Sequence, residues 1–449
     1  MGIASKWHRF GELLGKSRRT IREYGFGQFF RKTYVRGMKF FFRHFVAPFD
    51  DPARRRGDHV DSVSEVIGKA FPTLQPLLVF RSPDRKRSGC LNFVTDALGS
   101  SLLGGVGTAL ILASQYAVKR NMTLRIITRE EPAGARGYYR FMELMREKPP
   151  KKVLFWSDCC RSDLGNHRHP LEISDADEFF TTSWWTTAAV RAADTGCRIF
   201  YLIQETEDFF YPFGDMRLWC SWQMNCPDVR YIVNSHWLWE YFQEKYPVIC
   251  ANGTWFEPAF PRFLYQPSAA SAAADRHKLF FYARPNHSRN LYFTGLKVLD
   301  EAFARGILDP GKWEVYLAGD ACGKVEFSGG AQPVYLGRMQ WSEYARFLGG
   351  VDVTFSLMYT PHPSYPPLDS LASGGVCVTN SFANKTDCPY CRNIIFRELN
   401  IDSLCDGLRE GVKLALDLPA RRRNFEELSL PADWSETLKG TIDFMENFG

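Results

Sequence analysis

The sequence contains no long apolar run of the kind that crosses a bilayer. Its longest uncharged stretch, Ala97 to Val118, is rich in Gly and Ser and is predicted to be a loop followed by a buried helix. The first residues are basic and lack the apolar segment of a secretory leader. We therefore expect no transmembrane helix, and a reducing cytosol for the twelve cysteines instead of a secreted disulfide scaffold.

Motifs of nucleic-acid-binding modules are absent as well, and the excess of basic residues is confined to one end of the chain. The net charge is +6, yet residues 1–43 hold eleven Lys and Arg against only Glu12 and Glu23. The rest of the chain is therefore weakly acidic. A protein that binds nucleic acid spreads its positive charge over a domain surface, so we expect no nucleic-acid partner.

Residues 1–75 form a predicted basic N-terminal extension. In residues 1–50 basic side chains alternate with aromatic and aliphatic ones, which predicts two short amphipathic helices broken near Gly25 and Gly27. Two interpretations are open: the helices pack on the protein body, or residues 1–46 bind anionic lipid headgroups. We expect a cytoplasmic protein, which under the second interpretation lies on the inner face of the plasma membrane.

From Leu77 onward, short β-rich runs alternate with helical stretches, the pattern of parallel α/β sheets. The 449 residues are enough for two large cores. We predict α/β domains over residues 76–265 and 275–430, joined near Ala269 to Asp275, and a C-terminal helix in 431–449 that packs back on the first domain with Ser435 as its N-cap. The predicted strands are Cys90–Val94, Leu124–Thr128, Val153–Ser157, Glu178–Thr182, Arg198–Ile203, Arg230–Asn234, Leu279–Ala283, Trp313–Ala318, Val334–Gly337, Val353–Phe355 and Val376–Thr379.

Two segments are candidates for binding an anion. The first predicted strand is followed by a glycine-rich turn with Gly104, Gly105 and Gly107 and then by an apolar helix, whose N-terminus presents free N–H groups. This turn either binds phosphate or is merely tight. Arg284 and Arg289 follow the first strand of the second domain, and two cations at that end of a strand suit a diphosphate.

Carboxylates and aromatic rings gather at three other places. Asp369 is predicted in the first turn of a helix that begins near Pro367, where it either stabilises the helix end or accepts hydrogen bonds from sugar hydroxyls. Glu205 and Glu207 follow a strand together with Tyr211, a mixture that sugar sites use. These aromatic side chains, like Trp184 and Trp185, either contact a sugar or pack in the core.

The second domain resembles that of retaining glycosyltransferases of the glycosyltransferase family four type. Arg284 matches the family arginine, Arg289 its lysine, and Asp369 its second glutamate. Pro361 stands where the family has its first glutamate, so the contact of that carboxylate to the transferred sugar must be replaced or absent. The run from His362 to Leu368, with Thr379 and Asn380, is similar to the narrower group of WsaF-type rhamnosyltransferases.

This resemblance implies a GT-B fold, with two Rossmann-like domains facing a central cleft. It also implies a glycosyltransferase that moves rhamnose from dTDP-L-rhamnose to a glycan or lipid-linked glycan acceptor in bacterial polysaccharide or glycoprotein-glycan assembly, with no cofactor. Under this hypothesis the donor residues are Gly104, Gly105, Gly107, Arg284, Arg289, Ser364, Tyr365 and Asp369, the acceptor residues are Trp184, Trp185, Glu207 and Tyr211, and the catalytic candidates are Arg284, Asp369, Glu205 and His362.

The arginines can stabilise the leaving diphosphate without a metal, and the sole Asp-x-Asp motif, at Asp175 and Asp177, precedes a strand of the acceptor-side domain. We therefore expect no metal dependence. If the enzyme retains the anomeric configuration, the leaving phosphate takes the acceptor proton. If it inverts, His362 or Glu205 is the candidate base. A catalytically inactive scaffold of the same fold is the alternative function.

Two cysteine patterns suggest other chemistries. Cys388 and Cys391 reproduce the Cys-Pro-Tyr-Cys dithiol of glutaredoxins, but they lie in a late loop instead of following the first strand of the fold. Residues Cys159, Cys160, His167 and His169 lack the regular spacing of a zinc site. We expect neither a thiol oxidoreductase nor a metal centre.

Overall fold

The computed structural model describes residues 62–82, 89–98, 104–130, 134–158, 170–268 and 276–447. The chain divides into two units, Met1–Ile67 and Gly68–Gly449, and every strand of the described residues belongs to the second. The predicted helices of residues 1–50, the predicted domain joint and the Cys and His residues of 159–169 lie outside the described residues. Within the described ranges, no helix combines the length and apolarity needed to cross a membrane.

Seven parallel strands form the sheet of the first domain, in the order β4-β3-β2-β6-β7-β8-β9. Their bounds are β2 Cys90–Thr95, β3 Thr123–Thr128, β4 Val153–Ser157, β6 Glu178–Thr181, β7 Arg198–Ile203, β8 Arg230–Asn234 and β9 Gly253–Phe256. Strands β1 Val79–Arg81 and β5 Leu171–Ile173 form a separate parallel pair. Most residues of the central strands are buried, because helices cover both faces of a parallel sheet.

Six parallel strands form the sheet of the second domain, in the order β12-β11-β10-β13-β14-β15. Their bounds are β10 His277–Ala283, β11 Trp313–Gly319, β12 Val334–Gly337, β13 Val353–Phe355, β14 Val376–Asn380 and β15 Ile394–Arg397. The strand order reverses direction between β10 and β13, and in the first sheet between β2 and β6. Ligands of open α/β sheets bind at such switch points, outside the carboxyl ends of the strands.

The helices connect the strands and cover the sheets. Their bounds are α1 Val63–Ala70, α2 Gly105–Lys119, α3 Ala135–Leu144, α4 Trp184–Ala192, α5 Asp215–Gln223, α6 His236–Lys245, α7 Pro247–Ala251, α8 Tyr292–Ala304, α9 Trp341–Leu348, α10 Tyr365–Ala372, α11 Ile401–Leu416, α12 Leu418–Glu426 and α13 Trp434–Asn447. The prediction of two parallel α/β sheets is confirmed, and each predicted strand is present with its ends within two residues. Strands β1, β5, β9 and β15 were not predicted.

Helix α13 packs on the first domain, although it follows the second domain in the chain. Its apolar side chains, among them Trp434, Leu438 and Met445, are buried in the core that α2 and the first sheet share. The helix begins at Trp434, and the side chain of Asp433 accepts hydrogen bonds from the N–H groups of Ser435 and Glu436 at 2.7 and 3.2 Å. The predicted N-cap Ser435 is therefore wrong, because the carboxylate two residues earlier takes that role.

Candidate functional site

A cleft of about 650 Å³ lies between the two sheets, at the carboxyl ends of their strands. Its charged walls come from residues that directly follow strands. Asp96 follows β2 and Glu205 lies just past the end of β7, while Arg284, Asp320 and Arg338 follow β10, β11 and β12. Both domains thus contribute side chains to one site, and the second supplies the arginines Arg284, Arg289 and Arg338.

The glycine-rich turn opens on this cleft. Gly104 has φ +64° and ψ −130°, a conformation that only glycine adopts easily, and helix α2 begins at Gly105. A side chain at Gly105 would collide with the amide of Gln204, since an added Cβ would lie 2.8 Å from Nε2. Gly104, Gly105 and Val106 line the cleft, and the first N–H groups of a helix have no partner within the helix, whereas Gly107 is buried within α2 and does not line the cleft.

The two predicted cations meet in the cleft. Nε of Arg284 lies 3.6 Å from Oδ2 of Asp320, and its guanidinium donates a hydrogen bond to His287. Nε of Arg289 lies 3.3 Å from Oε2 of Glu205, which belongs to the opposite domain. Burial and the two guanidinium groups lower the pKa of His287 to about 4, so the ring is neutral at physiological pH. Both arginines are held in place by partners before any ligand binds.

Asp369 is buried at the second domain's side of the cleft. It lies in the second turn of α10, because the helix begins at Tyr365 and accommodates two prolines near its start, so the expected first-turn position is wrong. The hydroxyl of Tyr344 donates to Oδ2 at 3.2 Å. Burial raises the pKa of Asp369 to about 7, and hydrogen bonds from Tyr265 and Tyr344 oppose the rise.

His362 presents a hydrogen-bond donor, not a base. Its Nδ1 accepts the backbone N–H of Ser364 at 3.0 Å, so the neutral ring carries its proton on Nε2. Burial, with Lys385 and Arg289 nearby, lowers the pKa of His362 to about 3. Lys385, which the sequence did not single out, is fully buried and donates to the carbonyls of Met358 and His362 at 2.9 and 3.3 Å.

The wall from the first domain carries carboxyl groups and one indole. Oε2 of Glu207 accepts the backbone N–H of Trp184 at 2.8 Å, and burial raises the pKa of Glu207 to about 8. Burial also raises the pKa of Glu205, while Arg289 opposes the rise. The indole N–H of Trp185 donates to both oxygens of Asp96 at 2.7 and 2.9 Å. This wall therefore offers both acceptors and a protonated carboxyl for sugar hydroxyls.

Trp184 and Tyr211, predicted to contact an acceptor, do not line the cleft. Trp184 is fully buried and donates its indole N–H to the hydroxyl of Tyr211 at 3.0 Å. Their rings meet edge to face at 5.9 Å within the core beneath α4. For these two residues core packing is the correct interpretation, whereas Trp185 and Glu207 do face the cleft.

The structure does not favour a redox role for Cys388 and Cys391. Burial raises the pKa of Cys388 to about 11 and also raises that of Cys391, whereas a redox-active pair needs a thiol that ionises readily. The motif precedes strand β15 and opens no helix. In the part of the chain that the structure describes, no three His, Cys, Asp or Glu side chains form a group that could hold a metal. Asp175 and Asp177 precede β6, at the end of the strand opposite the cleft.

Three comparisons place the chain among known proteins. The family model described as "WsaF, C-terminal domain" matches residues 277–409, less than a third of the chain. The O-antigen biosynthesis protein RfbC of Myxococcus xanthus is 33% identical over 162 residues, which are 36% of this chain and 12% of that protein. The chain thus spans about an eighth of the length of this curated relative.

Solved structures resemble the chain over most of its length. A glycosyltransferase from Rickettsia africae aligns with a TM-score of 0.52 and 12% identity, over 80% of this chain and all of that one. TarM aligns with a TM-score of 0.56 and 7% identity, over 81% of this chain and all of that one. Identities this low establish architecture alone. With its two parallel sheets facing one cleft, the chain has the GT-B fold.

Proposed function

We propose that the protein is a glycosyltransferase that moves a sugar from a nucleotide-sugar donor to a glycan acceptor. One observation carries the proposal: Arg284 and Arg289 converge in the cleft with the free N–H groups of the Gly104 turn on its other wall. This places two cations and a helix N-terminus around one space, the arrangement that a diphosphate requires. The GT-B fold and the region similar to the WsaF C-terminal domain support the same assignment.

In this proposal the second domain holds the leaving group. As the bond between sugar and diphosphate breaks, negative charge grows on the phosphate oxygens. The guanidinium groups of Arg284 and Arg289 stabilise that charge, because they are already positioned and are only partly exposed to water. We therefore propose a transfer that needs no metal ion, with catalytic roles for these two residues and a donor-binding role for Ser364, Tyr365 and Asp369.

The first domain receives the acceptor. Trp185 offers an aromatic ring, and Asp96, Glu205 and Glu207 offer oxygens to hydroxyl groups. Because the pKa of Glu207 is about 8, this residue is mainly protonated at neutral pH and donates a hydrogen bond. Sugars present both hydroxyls and apolar ring faces, so this wall suits a glycan.

The state of the two candidate bases bears on the stereochemical course. His362 has a pKa of about 3 and carries its proton on Nε2, and Glu205 is paired with Arg289. His362 is therefore too weak a base to take a proton from an acceptor hydroxyl at neutral pH, and the carboxylate of Glu205 is held by its ion pair with Arg289. We propose that the leaving phosphate takes that proton while the acceptor oxygen bonds to the anomeric carbon, with retention of configuration. NMR of the product tests this proposal, since an inverted anomeric centre contradicts it.

The donor that we propose is dTDP-L-rhamnose, and the process is assembly of a cell-envelope polysaccharide or glycoprotein glycan at the inner face of the plasma membrane. The similarity to the WsaF C-terminal domain and to an O-antigen biosynthesis protein supports this choice. The acceptor is then a glycan, either free or linked to a lipid.

Thermal shift measured across dTDP-, UDP- and GDP-sugars, with and without Mg²⁺, tests the proposed function. A ligand that binds only the folded protein raises its melting temperature by mass action. We expect a selective shift with dTDP-L-rhamnose that does not require Mg²⁺. No shift with any donor, for a protein that melts cooperatively, contradicts the enzyme and favours a scaffold of the same fold.

A further inference from the structure

Tyr365 is one of several side chains that connect the two domains, and its hydroxyl group does so within the buried interior. Tyr365 is the first residue of α10 in the second domain, and its hydroxyl lies between two residues of the first. Nδ2 of Asn234 donates to it at 2.7 Å, and Oγ1 of Thr108 lies 2.7 Å away. Both partners are buried, with exposed fractions of 0% and 1%. Two short hydrogen bonds therefore cross between the domains where water does not compete.

The hydrogen bonds around Tyr365 continue to the glycine-rich turn. The Tyr365 oxygen accepts from Asn234, either hydroxyl of the Tyr365–Thr108 pair can donate to the other, and the Thr108 hydroxyl lies 3.5 Å from the carbonyl of Gly104. Asn234 also donates to Gln204 at 3.2 Å, and Gln204 donates to the carbonyl of Gly105 at 2.8 Å. Both branches of the network end on the glycine-rich turn.

The backbone on each side of this contact is strained. Ser364, directly before Tyr365, has φ +67° and ψ 155°, and Ser235, directly after Asn234, has φ +94° and ψ 148°. Residues other than glycine adopt such angles only where the surrounding structure enforces them. The strain therefore occurs at the two segments that present the Tyr365 hydroxyl and its partner to each other.

We propose that Tyr365 is a positioning residue that fixes the separation of the two domains, and with it the distance between the glycine-rich turn and the two arginines. The proposal rests on the proposed function for its consequence: a diphosphate contacts both walls only when this distance is correct. The part of Tyr365 that matters is its hydroxyl, acting through Thr108 and Asn234. This role is additional to the donor contact proposed for Tyr365 above, and Thr108, which does not line the cleft, allows the two roles to be tested separately.

The test uses Tyr365→Phe, Thr108→Val and the double variant in the full chain. Calorimetry with dTDP measures affinity, and small-angle X-ray scattering of the ligand-free protein measures the radius of gyration. We expect Tyr365→Phe to weaken dTDP binding about tenfold, the change that one or two net hydrogen bonds correspond to. We also expect a larger radius of gyration for both single variants. The double variant should match Tyr365→Phe, because the Thr108 contact can be lost only once.

Tyr138→Phe is the matched control. The Tyr138 hydroxyl is also buried and bonds to Ser114 Oγ at 2.9 Å, but both residues lie in the core of the first domain, away from the cleft. This variant should lose stability without a change in dTDP affinity or radius. If Tyr365→Phe equals the wild type in both measurements, or if the losses of the single variants multiply, the inference is wrong. If wild-type protein does not bind dTDP, the proposed function fails while scattering still decides the role of Tyr365.

Discussion

Replacement of Glu205 by Gln should tighten the binding of dTDP. In the ligand-free protein Glu205 pairs with Arg289 across the cleft at 3.3 Å, so its carboxylate already neutralises the guanidinium group that a donor phosphate would bind. Donor binding must then exchange one anion for another on the same guanidinium. Gln has the shape of Glu without its charge, so the substitution removes the competitor and leaves the cleft otherwise unchanged.

The size of the effect follows from the exposure of the pair. Glu205 and Arg289 form an ion pair in which Nε of Arg289 makes no hydrogen bond. Such a pair contributes up to about 1 kcal/mol at a partly exposed site, which corresponds to about fivefold in Kd. The Arg289 side chain is 25% exposed, so water screens part of the attraction, and we expect a Kd for dTDP that is tighter by up to about fivefold. Because dTDP lacks the sugar that is transferred, the loss of any contact between Glu205 and that sugar cannot mask the tighter binding.

Isothermal titration calorimetry provides the assay, and Glu178→Gln provides the control. Glu178 pairs with Arg198 at 3.2 Å, and neither residue lines the cleft. Their side chains are 10% and 29% exposed, close to the 8% and 25% of Glu205 and Arg289. Both variants should lower the melting temperature, because each leaves a partly buried arginine without its partner. Only Glu205→Gln should change dTDP affinity. Unchanged or weaker binding by this variant would refute the idea that Glu205 competes with phosphate for Arg289.

Three further outcomes are expected. Arg284→Ala should weaken dTDP binding at least about tenfold without unfolding the protein. Arg305→Ala, which loses ion pairs far from the cleft, should leave dTDP binding unchanged. Equal affinities of the two variants in calorimetry contradict a role of Arg284 in binding the diphosphate. The melting temperature of Glu207→Gln relative to that of the wild type should rise between pH 5 and 9. The raised pKa of Glu207 makes the folded wild type bind more protons than its unfolded chain, so wild-type stability falls as the pH rises to about 8, whereas the variant lacks this loss. A difference in melting temperature that does not depend on pH contradicts that pKa. Cys388→Ser should keep its transferase rate within about twofold, since the thiol is not ionised and lies outside the cleft; a large loss in a radiolabelled-donor assay would reopen the redox interpretation.

The sequence alone predicts both sheets and about a third of the residues that line the cleft, because apolar strands alternating with helices are a local signal. The same logic shows what could have been found. Asp96, Asp320 and Arg338 each directly follow a strand, and in a parallel sheet these positions meet at one edge. The predicted strands end one residue early at Val94 and Ala318, so reading the two residues after every predicted strand identifies all three without a motif.

Other features have no local signal. Tyr344 reaches Asp369, and Lys385 reaches the His362 loop, only because distant segments pack together in the second domain. Trp184 and Trp185 are adjacent and chemically identical, yet one is in the core and the other in the cleft. Consecutive residues at the start of a helix point about 100° apart, so a shift of one position decides between these environments.

The position of helix α13 has a consequence for the order of folding. Trp434, Leu438 and Met445 complete the core of the first domain, so that core stays unfinished until nearly all of the described chain has left the ribosome. A fragment covering residues 76–265 alone would expose the apolar surface that α13 covers. The chain therefore passes between the domains twice, once after the first domain and once before α13. A movement that opens the cleft must bend the chain at both connections.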